Sequence, residues 1–273
     1  QLSIRRDHLF QNYRKLQKKC MDNLKEMSYG EAIYDGCYQE MKRDDSVFVY
    51  GLGVDDAKGH YGTSKDFHKV FGSKRSFDMP LSEDAMTGIG IGAALNGLRP
   101  IYVHQRMDFL LLCMNQLINM AAKLRYMSSG KHSVPFVVRA AIGRSWGQGA
   151  QHSQAFHSFF MHVPGLKVIA PTTPHDAKGG LIASIRDNNP VIFVEHRMLY
   201  KNAGYVPSST YEIEFGKGRV LKDGNDITIV GVSHTVEDSL RAAELLKSVG
   251  VNAEIIDPIS SVSYTHLTLP TIY

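Results

Sequence analysis

Cysteine and long apolar runs are both scarce in this chain of 273 residues. The three cysteines, Cys20, Cys37 and Cys113, form an odd set without CxxC spacing. This pattern argues against a disulfide framework or a zinc site and favours a reducing compartment. The longest purely apolar run, residues 109–114, is far shorter than the roughly 18 residues that a membrane span requires. No basic and apolar signal sequence opens the chain, so we expect a cytoplasmic protein without a membrane partner.

The composition otherwise fits an ordinary globular protein, with 43% hydrophobic residues, 24 Gly and 10 Pro. Disordered and collagen-like chains are thereby excluded. The net charge of +4 lies within residues 1–26, which favour a solvated amphipathic helix. We therefore predict a basic helical arm over residues 1–27. It carries no groove-reading motif and no interleaved aromatic residues, so we expect no nucleic-acid partner.

From residue 46 onward, short β-branched or aromatic runs alternate with longer helical patterns. This alternation is typical of a parallel α/β sheet whose strands are buried on both faces. Helices are expected over residues 82–97, 108–127 and 173–186 from their capping signals and periodicity. The expected strands are residues 46–50, 101–104, 135–139, 167–170 and 191–194.

A linker rich in Gly, Pro and Ser, residues 202–210, precedes a second unit. Within it, residues 226–230, 236–249 and 253–256 have the pattern of one strand–helix–strand crossover. So small a unit buries too little apolar surface to fold well alone, and it must rest on the first domain or on another chain. We therefore divide the chain into the arm (1–27), a first α/β domain (28–203), a partial second α/β domain (204–260) and an atypical tail (261–273).

Two candidate ligand-binding residues lie near the starts of predicted helices. Glu83 can bind a ligand, and it can equally be a first-turn acid that the helix dipole stabilises. Phe109 is either a core residue or a platform for stacking a flat ring. The GIGIG run, residues 88–92, lies inside a helix and not directly after a strand. We interpret its glycines as close-packing positions, because a dinucleotide loop would open the helix.

A glycine-rich loop, residues 143–149, delivers His152 to the next helix, where either a chemical or a structural role is open. His152, His157 and His162 recur every fifth residue, which does not align them on one helical face as metal ligands. The turn at residues 187–189 closes a helix. Its oxygens could hold a monovalent cation, although a plain turn is the simpler interpretation.

These segments together resemble one family. HSQ (152–154) is followed by PGLKVIAPTTPHDAKG (164–179) and SIRDNNPVIFVEH (184–196), with PLSED (80–84) and GLRPI (97–101) upstream. Over residues 28–260 the chain resembles the beta subunits of thiamine-diphosphate-dependent 2-oxo acid dehydrogenases of the pyruvate, branched-chain and acetoin types. The resemblance implies a transketolase-like thiamine-diphosphate-binding α/β fold. A parallel sheet flanked by helices would form the pyrimidine-binding domain, with a partial second α/β domain after it.

The resemblance also implies an enzyme that oxidatively decarboxylates a 2-oxo acid substrate and transfers the acyl group to lipoyl. Glu83 matches the catalytic glutamate, which hydrogen-bonds the aminopyrimidine and favours the tautomer that can remove the thiazolium proton. Phe109 matches the aromatic residue that stacks on the pyrimidine. His152 matches the histidine of the HSQ motif, either a proton donor or a stabiliser of the enamine and of lipoyl transfer.

Partners and ions follow from the same resemblance. Activity would require an alpha subunit, which grips the diphosphate and Mg²⁺ of thiamine diphosphate, and the acceptor would be a lipoyl acyltransferase core. This chain has no GDG motif followed by a distant Asn, in keeping with that division. A K⁺ site would be formed mainly by backbone carbonyls of Phe136, Ser184, Ile185, Asp187 and Asn189.

Arg106 departs from the family pattern, since relatives tend to have a small or aromatic residue at this position. An arginine here could select an unusual substrate acid. Two alternatives to the dehydrogenase remain open from the sequence. One is a split transketolase-like or acetoin-cleaving enzyme subunit, and the other is a non-catalytic assembly module.

Overall fold

A six-stranded parallel sheet forms the centre of the computed structural model, which describes residues 23–144 and 147–260. In chain order the strands are β1 (Leu24–Ser28), β2 (Val47–Gly51), β3 (Ser76–Phe77), β4 (Arg99–His104), β5 (Val137–Ile142), β6 (Lys167–Ile169), β7 (Val191–His196), β8 (Ala203–Pro207), β9 (Arg219–Lys222), β10 (Ile227–Val230) and β11 (Ala253–Asp257). The central sheet has the order β3-β2-β4-β5-β7-β6. Its middle strands are buried and mainly apolar, as expected for a sheet covered on both faces, although β5 and β7 each carry one buried charged residue.

Helices cover both faces of this sheet. They are α1 (Tyr29–Arg43), α2 (Phe67–Phe71), α3 (Glu83–Leu95), α4 (Ala122–Met127), α5 (His157–Met161) and α6 (Pro174–Arg186), whereas α7 (His234–Ser248) packs on the separate three-stranded sheet formed by β9, β10 and β11. Alternate residues of β4 serve two separate cores, because successive strand side chains point to opposite faces. Tyr102 packs in the core that contains residues of α3, whereas Ile101 and Val103 pack in the core formed with α1 and α6.

Local signals in the sequence explain two helix starts. At α6, the Thr173 hydroxyl accepts the backbone N–H of Asp176 at 3.1 Å, and Pro174 occupies the first helical position. At α3, the helix begins directly after Ser82 as predicted, but the Ser82 hydroxyl caps no backbone N–H and lies 3.2 Å from the Asp84 carboxylate. Gly97 has a φ of +88°, which suits the left-handed turn that follows this helix.

The predicted parallel α/β sheet is confirmed, and each of its five predicted strands is present within a few residues of the expected bounds. The short edge strand β3 was not predicted. The helix expected over residues 108–127 is wrong in detail. The segment begins as a 3₁₀ helix (Met107–Cys113), continues as a π-helix (Gln116–Ala121) and ends as α4. Apolar periodicity cannot separate these helix types over such short stretches.

The second unit has the predicted crossover, with β10 and β11 parallel and α7 between them. An unpredicted strand, β9, pairs antiparallel with β11. The fully buried core of this unit is small, with Ala243, Ala253 and Ile255 as its centre. As expected, the unit rests on the first domain: Arg219 bridges Asp257 and Asp176 of α6.

The predicted arm needs a correction at its end. Residues 24–27 belong to β1, which pairs antiparallel with β8, so the predicted helix does not extend through them. The remainder of the arm, residues 1–22, and the tail, residues 261–273, lie outside the described residues. Among the residues that the structure describes, no helix is long and apolar enough to cross a membrane.

Candidate active site

The candidate residues gather at the carboxyl edge of the central sheet. From β2 the chain continues to β3 on one side, whereas β4 lies on the other side, so the connections diverge at this point. Helix α3 leads back to the start of β4, which places its first residue, Glu83, at the carboxyl edge. Phe109 follows the end of β4, and His152 follows the end of β5. The order of the strands therefore brings three separate segments to one edge.

Glu83 is a buried carboxylate, 7% exposed, in the first turn of α3. Within the described residues its side chain has no hydrogen-bond or ion-pair partner. Its backbone carbonyl accepts the Thr87 hydroxyl at 2.7 Å and the Tyr102 hydroxyl at 3.5 Å. A buried ionisable group without a partner is costly, and a helix N-terminus offsets only part of that cost. Glu83 thus has the environment expected of a ligand-binding residue, whereas the adjacent Asp84 is exposed.

Phe109 and His152 meet directly. Their ring centroids lie 5.3 Å apart at an interplanar angle of 75°, and both residues are half-buried. The Cys113 Sγ lies 4.0 Å from the Phe109 carbonyl oxygen. Burial raises the pKa of the Cys113 thiol to about 12, and the negative charge of Glu83 contributes to that rise. Phe109 and His152 thus form one contacting pair, and Glu83 lies at the same edge of the sheet, at the start of α3.

Several polar residues that sequence reasoning missed hold the His152 loop in place. Arg197 donates to the Gln148 side-chain oxygen at 2.9 Å and to the His152 carbonyl at 2.5 Å. The Asp108 carboxylate accepts the side-chain and backbone N–H groups of Gln154 at 2.8 and 3.2 Å. The sequence held one indication of these contacts: Gln148 and Gln154 lie on either side of His152. Polar side chains on both sides of a functional histidine can anchor its loop.

Below this edge, β5 and β7 are joined by a fully buried ion pair. Arg139 donates twice to Glu195, at 2.6 and 3.0 Å, and the two side chains are 0% and 1% exposed. Arg139 also donates to the Thr63 hydroxyl at 2.7 Å, and the Tyr200 hydroxyl donates to Glu195 at 2.8 Å. The second terminal nitrogen of Arg139, Nη1, is buried without a hydrogen-bond partner in the described part of the chain. The pair fixes two neighbouring strands beneath the loops that carry the site.

The glycines of α3 do not share one environment. A Cβ at Gly90 would lie 2.2 Å from the Tyr50 hydroxyl and 2.8 Å from the Phe136 ring, whereas one at Gly88 or Gly92 would have nothing within 4 Å. The interpretation of close packing therefore holds for Gly90 within the described chain. The Tyr50 hydroxyl also donates to the Met86 carbonyl at 2.9 Å, so this contact fixes α3 against the sheet close to Glu83.

The residues predicted for a K⁺ site lie around the end of α6, where a guanidinium already occupies part of the set. Arg99 donates to the carbonyl oxygens of Ile185 at 2.9 Å and Asp187 at 3.1 Å. The carbonyl of Phe136 accepts a strand N–H, and the side chains of Ser184 and Asn189 also have protein partners. In residues 23–144 and 147–260 no group of three or more His, Cys, Asp or Glu side chains could hold a metal ion.

Two family descriptions match the sequence: the transketolase pyrimidine-binding domain over residues 25–202 and the transketolase C-terminal domain over residues 216–266. Two solved structures show the same fold. A split-gene transketolase, described as an inactive beta4 tetramer, has a TM-score of 0.69 at 20% identity, covering 86% of this chain and 72% of its own. A transketolase of Pichia stipitis has a TM-score of 0.65 at 15% identity, covering 90% and 36%. The fold is thus that of a transketolase-type pyrimidine-binding domain with part of a C-terminal domain.

Three proteins of similar sequence define the enzyme family within this fold. The beta subunit of acetoin:2,6-dichlorophenolindophenol oxidoreductase of Cupriavidus necator is 44% identical over 243 residues, which are 85% of this chain and 72% of that protein. The 2-oxoisovalerate dehydrogenase beta subunit of Bacillus subtilis is 42% identical, covering 85% and 71%. The pyruvate dehydrogenase E1 beta subunit of Gracilaria tenuistipitata is 41% identical, covering 84% and 71%. The chain belongs to the family of E1 beta subunits of thiamine-diphosphate-dependent 2-oxo acid dehydrogenases.

Proposed function

We propose that this chain supplies the pyrimidine-binding half of a thiamine diphosphate site in a 2-oxo acid dehydrogenase, with an alpha subunit supplying the other half. The carrying observation is Glu83, a buried carboxylate without a partner in the described chain. Family membership supports the cofactor. The complete enzyme would be a heterotetramer that decarboxylates a 2-oxo acid oxidatively and passes the acyl group to a lipoyl acyltransferase core.

Thiamine diphosphate supplies a nucleophilic carbon that can attack a 2-oxo group. Glu83 is proposed to hold a proton at the pyrimidine ring nitrogen, because a carboxyl group in this sheltered position can share it without competition from water. Phe109 is proposed to offer its ring face to the pyrimidine. His152, held against Phe109 and anchored by Arg197, is proposed to move protons at the substrate side.

We also propose which subunit binds Mg²⁺ and where K⁺ binds. The described residues provide no acidic cluster for Mg²⁺, and we assign that ion to the alpha subunit. For K⁺ the fit is incomplete, since Arg99 donates to two of the carbonyl groups that would bind it. We propose that K⁺ binds at the turn of residues 187–189 in addition to the Arg99 contacts. If the proposal is right, KCl will raise the melting temperature more than equal concentrations of NaCl or choline chloride.

Reconstitution with a cognate alpha chain tests the main proposal. Glu83→Gln removes the charge and keeps the shape, while Asp84→Asn makes the same change one residue away at an exposed position. We expect about a 100- to 10,000-fold loss of kcat for Glu83→Gln, the range typical of a lost acid–base group, and little change for Asp84→Asn. Equal activity of Glu83→Gln and wild type would refute the assignment.

An acetoin-cleaving enzyme subunit is the second candidate, and the 44% identity to the Cupriavidus necator protein favours it specifically. The two functions differ in the bond that is broken. Supplying acetoin and 2-oxo acids separately to the reconstituted complex, with an artificial electron acceptor, distinguishes them. A higher kcat/KM with acetoin would select the second candidate.

We also propose the cytoplasm, or an equally reducing compartment, as the site of action. Cys37 and Cys113 are buried free thiols, and burial raises the pKa of each to about 12, so neither favours the reactive thiolate. Cell fractionation with an antibody to the chain tests this localisation. Recovery outside the cytoplasmic fraction would contradict it.

A further inference from the structure

Arg106 is a buried cation in the candidate site that the proposed function leaves unused. Its side chain, 6% exposed, lies between the end of β4 and Phe109, whose backbone N–H donates to the Arg106 carbonyl at 3.3 Å. The guanidinium donates to the Gln148 oxygen at 2.7 Å, to the Tyr61 hydroxyl and to the Gln105 carbonyl. All three acceptors are neutral. Among the described residues no acidic side chain forms an ion pair with Arg106.

A second guanidinium lies beside the first. Arg197, 3% exposed, donates to the same Gln148 oxygen at 2.9 Å, so one neutral amide is shared by two buried cations. Burial lowers the pKa of Arg197, and the charge of Arg106 adds to this effect, while Asp108 partly opposes it. The Asp108 carboxylate itself accepts from Gln154. Positive charge is therefore concentrated beside the His152 loop.

A cavity lies beside this charge, on the other side of two residues that contact Arg106. A cavity of about 660 Å³ is lined by Tyr61 and Gln105, the same two residues that bond Arg106. Lys58 and Lys65 also line it, against Asp56 as the acidic side chain. A cleft with this balance attracts anions, and a desolvated guanidinium binds carboxylate or phosphate more strongly than an amide oxygen. The Gln148 oxygen is thus an acceptor that an anionic ligand can replace.

The carboxylate next to the 2-oxo group is a poor candidate for this position. Decarboxylation converts it to neutral carbon dioxide, so an arginine bonded to it would stabilise the ground state more than the transition state. An anionic group at the other end of the substrate keeps its charge throughout the reaction. Binding at that end lowers KM without opposing the chemical step.

We propose that Arg106 and Arg197 form a receptor for a second, distal anionic group on the substrate, a carboxylate or a phosphate. This inference rests on the proposed function, and it deepens it by naming the substrate class. The preferred 2-oxo acid carries a charged end in place of an apolar chain. Arg106 is the specificity-determining residue, and Gln148 occupies the receptor in the absence of substrate.

Matched substrates test the receptor in the complex reconstituted with its alpha chain. 2-Oxoglutarate and 2-oxopentanoate have the same number of carbon atoms, and only the first has a distal carboxylate. 2-Oxo-4-phosphonobutanoate and the same 2-oxopentanoate form the corresponding pair for a phosphate-like group. We expect the wild type to prefer the charged member of one pair by about 10- to 100-fold in kcat/KM, the range of a charge-assisted hydrogen bond. The pair that shows the preference identifies the anion.

Variants then assign the preference to Arg106. Arg106→Gln should lower the ratio of kcat/KM for charged over uncharged substrate to near one, mainly through KM, and Arg106→Lys should retain part of it. A wild-type ratio near one in both pairs, or a ratio that Arg106→Gln leaves unchanged, would overturn the proposal. Oxidation of 2-oxopentanoate as efficient as that of both charged 2-oxo acids would refute the receptor while leaving the proposed dehydrogenase function intact.

Binding provides a second readout that does not depend on turnover. Glutarate should raise the melting temperature of the complex more than its uncharged diamide, glutaramide, at equal concentration, and inorganic phosphate serves as the other anion. Arg106→Gln should abolish the difference. If no 2-oxo acid is oxidised, the proposed function fails, and this binding comparison still decides the receptor. Equal shifts from glutarate, phosphate and glutaramide would overturn it.

Discussion

Breaking the buried pair between Arg139 and Glu195 should destabilise the protein strongly. The pair has two hydrogen bonds, at 2.6 and 3.0 Å, and both side chains are at most 1% exposed. Glu195→Leu leaves the guanidinium of Arg139 buried without its counter-charge. The expected cost is about 3–5 kcal/mol in the free energy of unfolding. For a chain of this size, that cost corresponds to a fall of roughly 6–20 °C in melting temperature.

The double variant is the control for this prediction. Arg139→Met with Glu195→Leu removes both charges, and apolar residues of similar volume can replace a buried pair with little loss. Tyr200 loses the acceptor of its hydroxyl, at 2.8 Å in the structure, which costs about 1–2 kcal/mol. We therefore expect the double variant to lie within about 2 kcal/mol of wild type.

Urea unfolding of the full chain, followed by circular dichroism, measures the free energy of unfolding of the wild type, the two single variants and the double variant. We expect the double variant to be more stable than either single variant. A cost below about 1 kcal/mol for each single variant, or single costs that simply add in the double variant, would contradict a strong interaction between the two side chains. Such additivity would mean that the two side chains do not interact across β5 and β7.

Two further predictions concern the surroundings of Glu83. In thermal melts, Gly90→Ala should destabilise the chain by about 1–3 kcal/mol, because its Cβ would lie 2.2 Å from the Tyr50 hydroxyl. The control, Gly88→Ala, should be neutral or stabilising, since its Cβ would meet nothing within 4 Å. Equal effects of the two substitutions would contradict this packing. Burial lowers the pKa of His104 to about 3, below its value of about 6.5 in the unfolded chain, so the unfolded state binds the additional proton. The contribution of His104 to stability should therefore be fully present above pH 6.5 and decrease as the pH falls towards 3, by about 3 kcal/mol at pH 4. Burial also lowers the pKa values of His60, His157 and His196, so His104→Gln should remove only this part of the pH dependence in urea titrations at several pH values. An unchanged slope in that variant would assign the pH dependence to other groups.

Much of the sheet could be predicted from the sequence, because strands buried on both faces are continuous apolar runs. The same holds for α6, where Thr173 and Pro174 provide a local start signal. The 3₁₀ and π segments could not be predicted, since their apolar spacing resembles that of an α-helix. The pairing of β1 with β8 joins residues far apart in the chain and depends on tertiary structure alone.

In the candidate site, too, some features could be predicted from the sequence and others required the structure. Glu83 could be located at a helix start, but its burial and lack of a partner required the structure. Phe109 and His152 meet because β4 and β5 are neighbours, and strand order is not a local property of the sequence. Arg197 was missed because its contact with Gln148 joins residues 49 positions apart. Long-range polar contacts of this kind leave no periodic pattern.

Proton exchange at the thiazolium carbon of bound thiamine diphosphate reports the action of Glu83 without any 2-oxo acid. The measurement uses quenched-flow deuterium labelling of the reconstituted complex, with cofactor occupancy determined separately. We expect Glu83→Gln to slow exchange by about 100-fold or more at full occupancy and Asp84→Asn to exchange at the wild-type rate. Wild-type exchange in Glu83→Gln would contradict the claim that this buried carboxylate activates the cofactor.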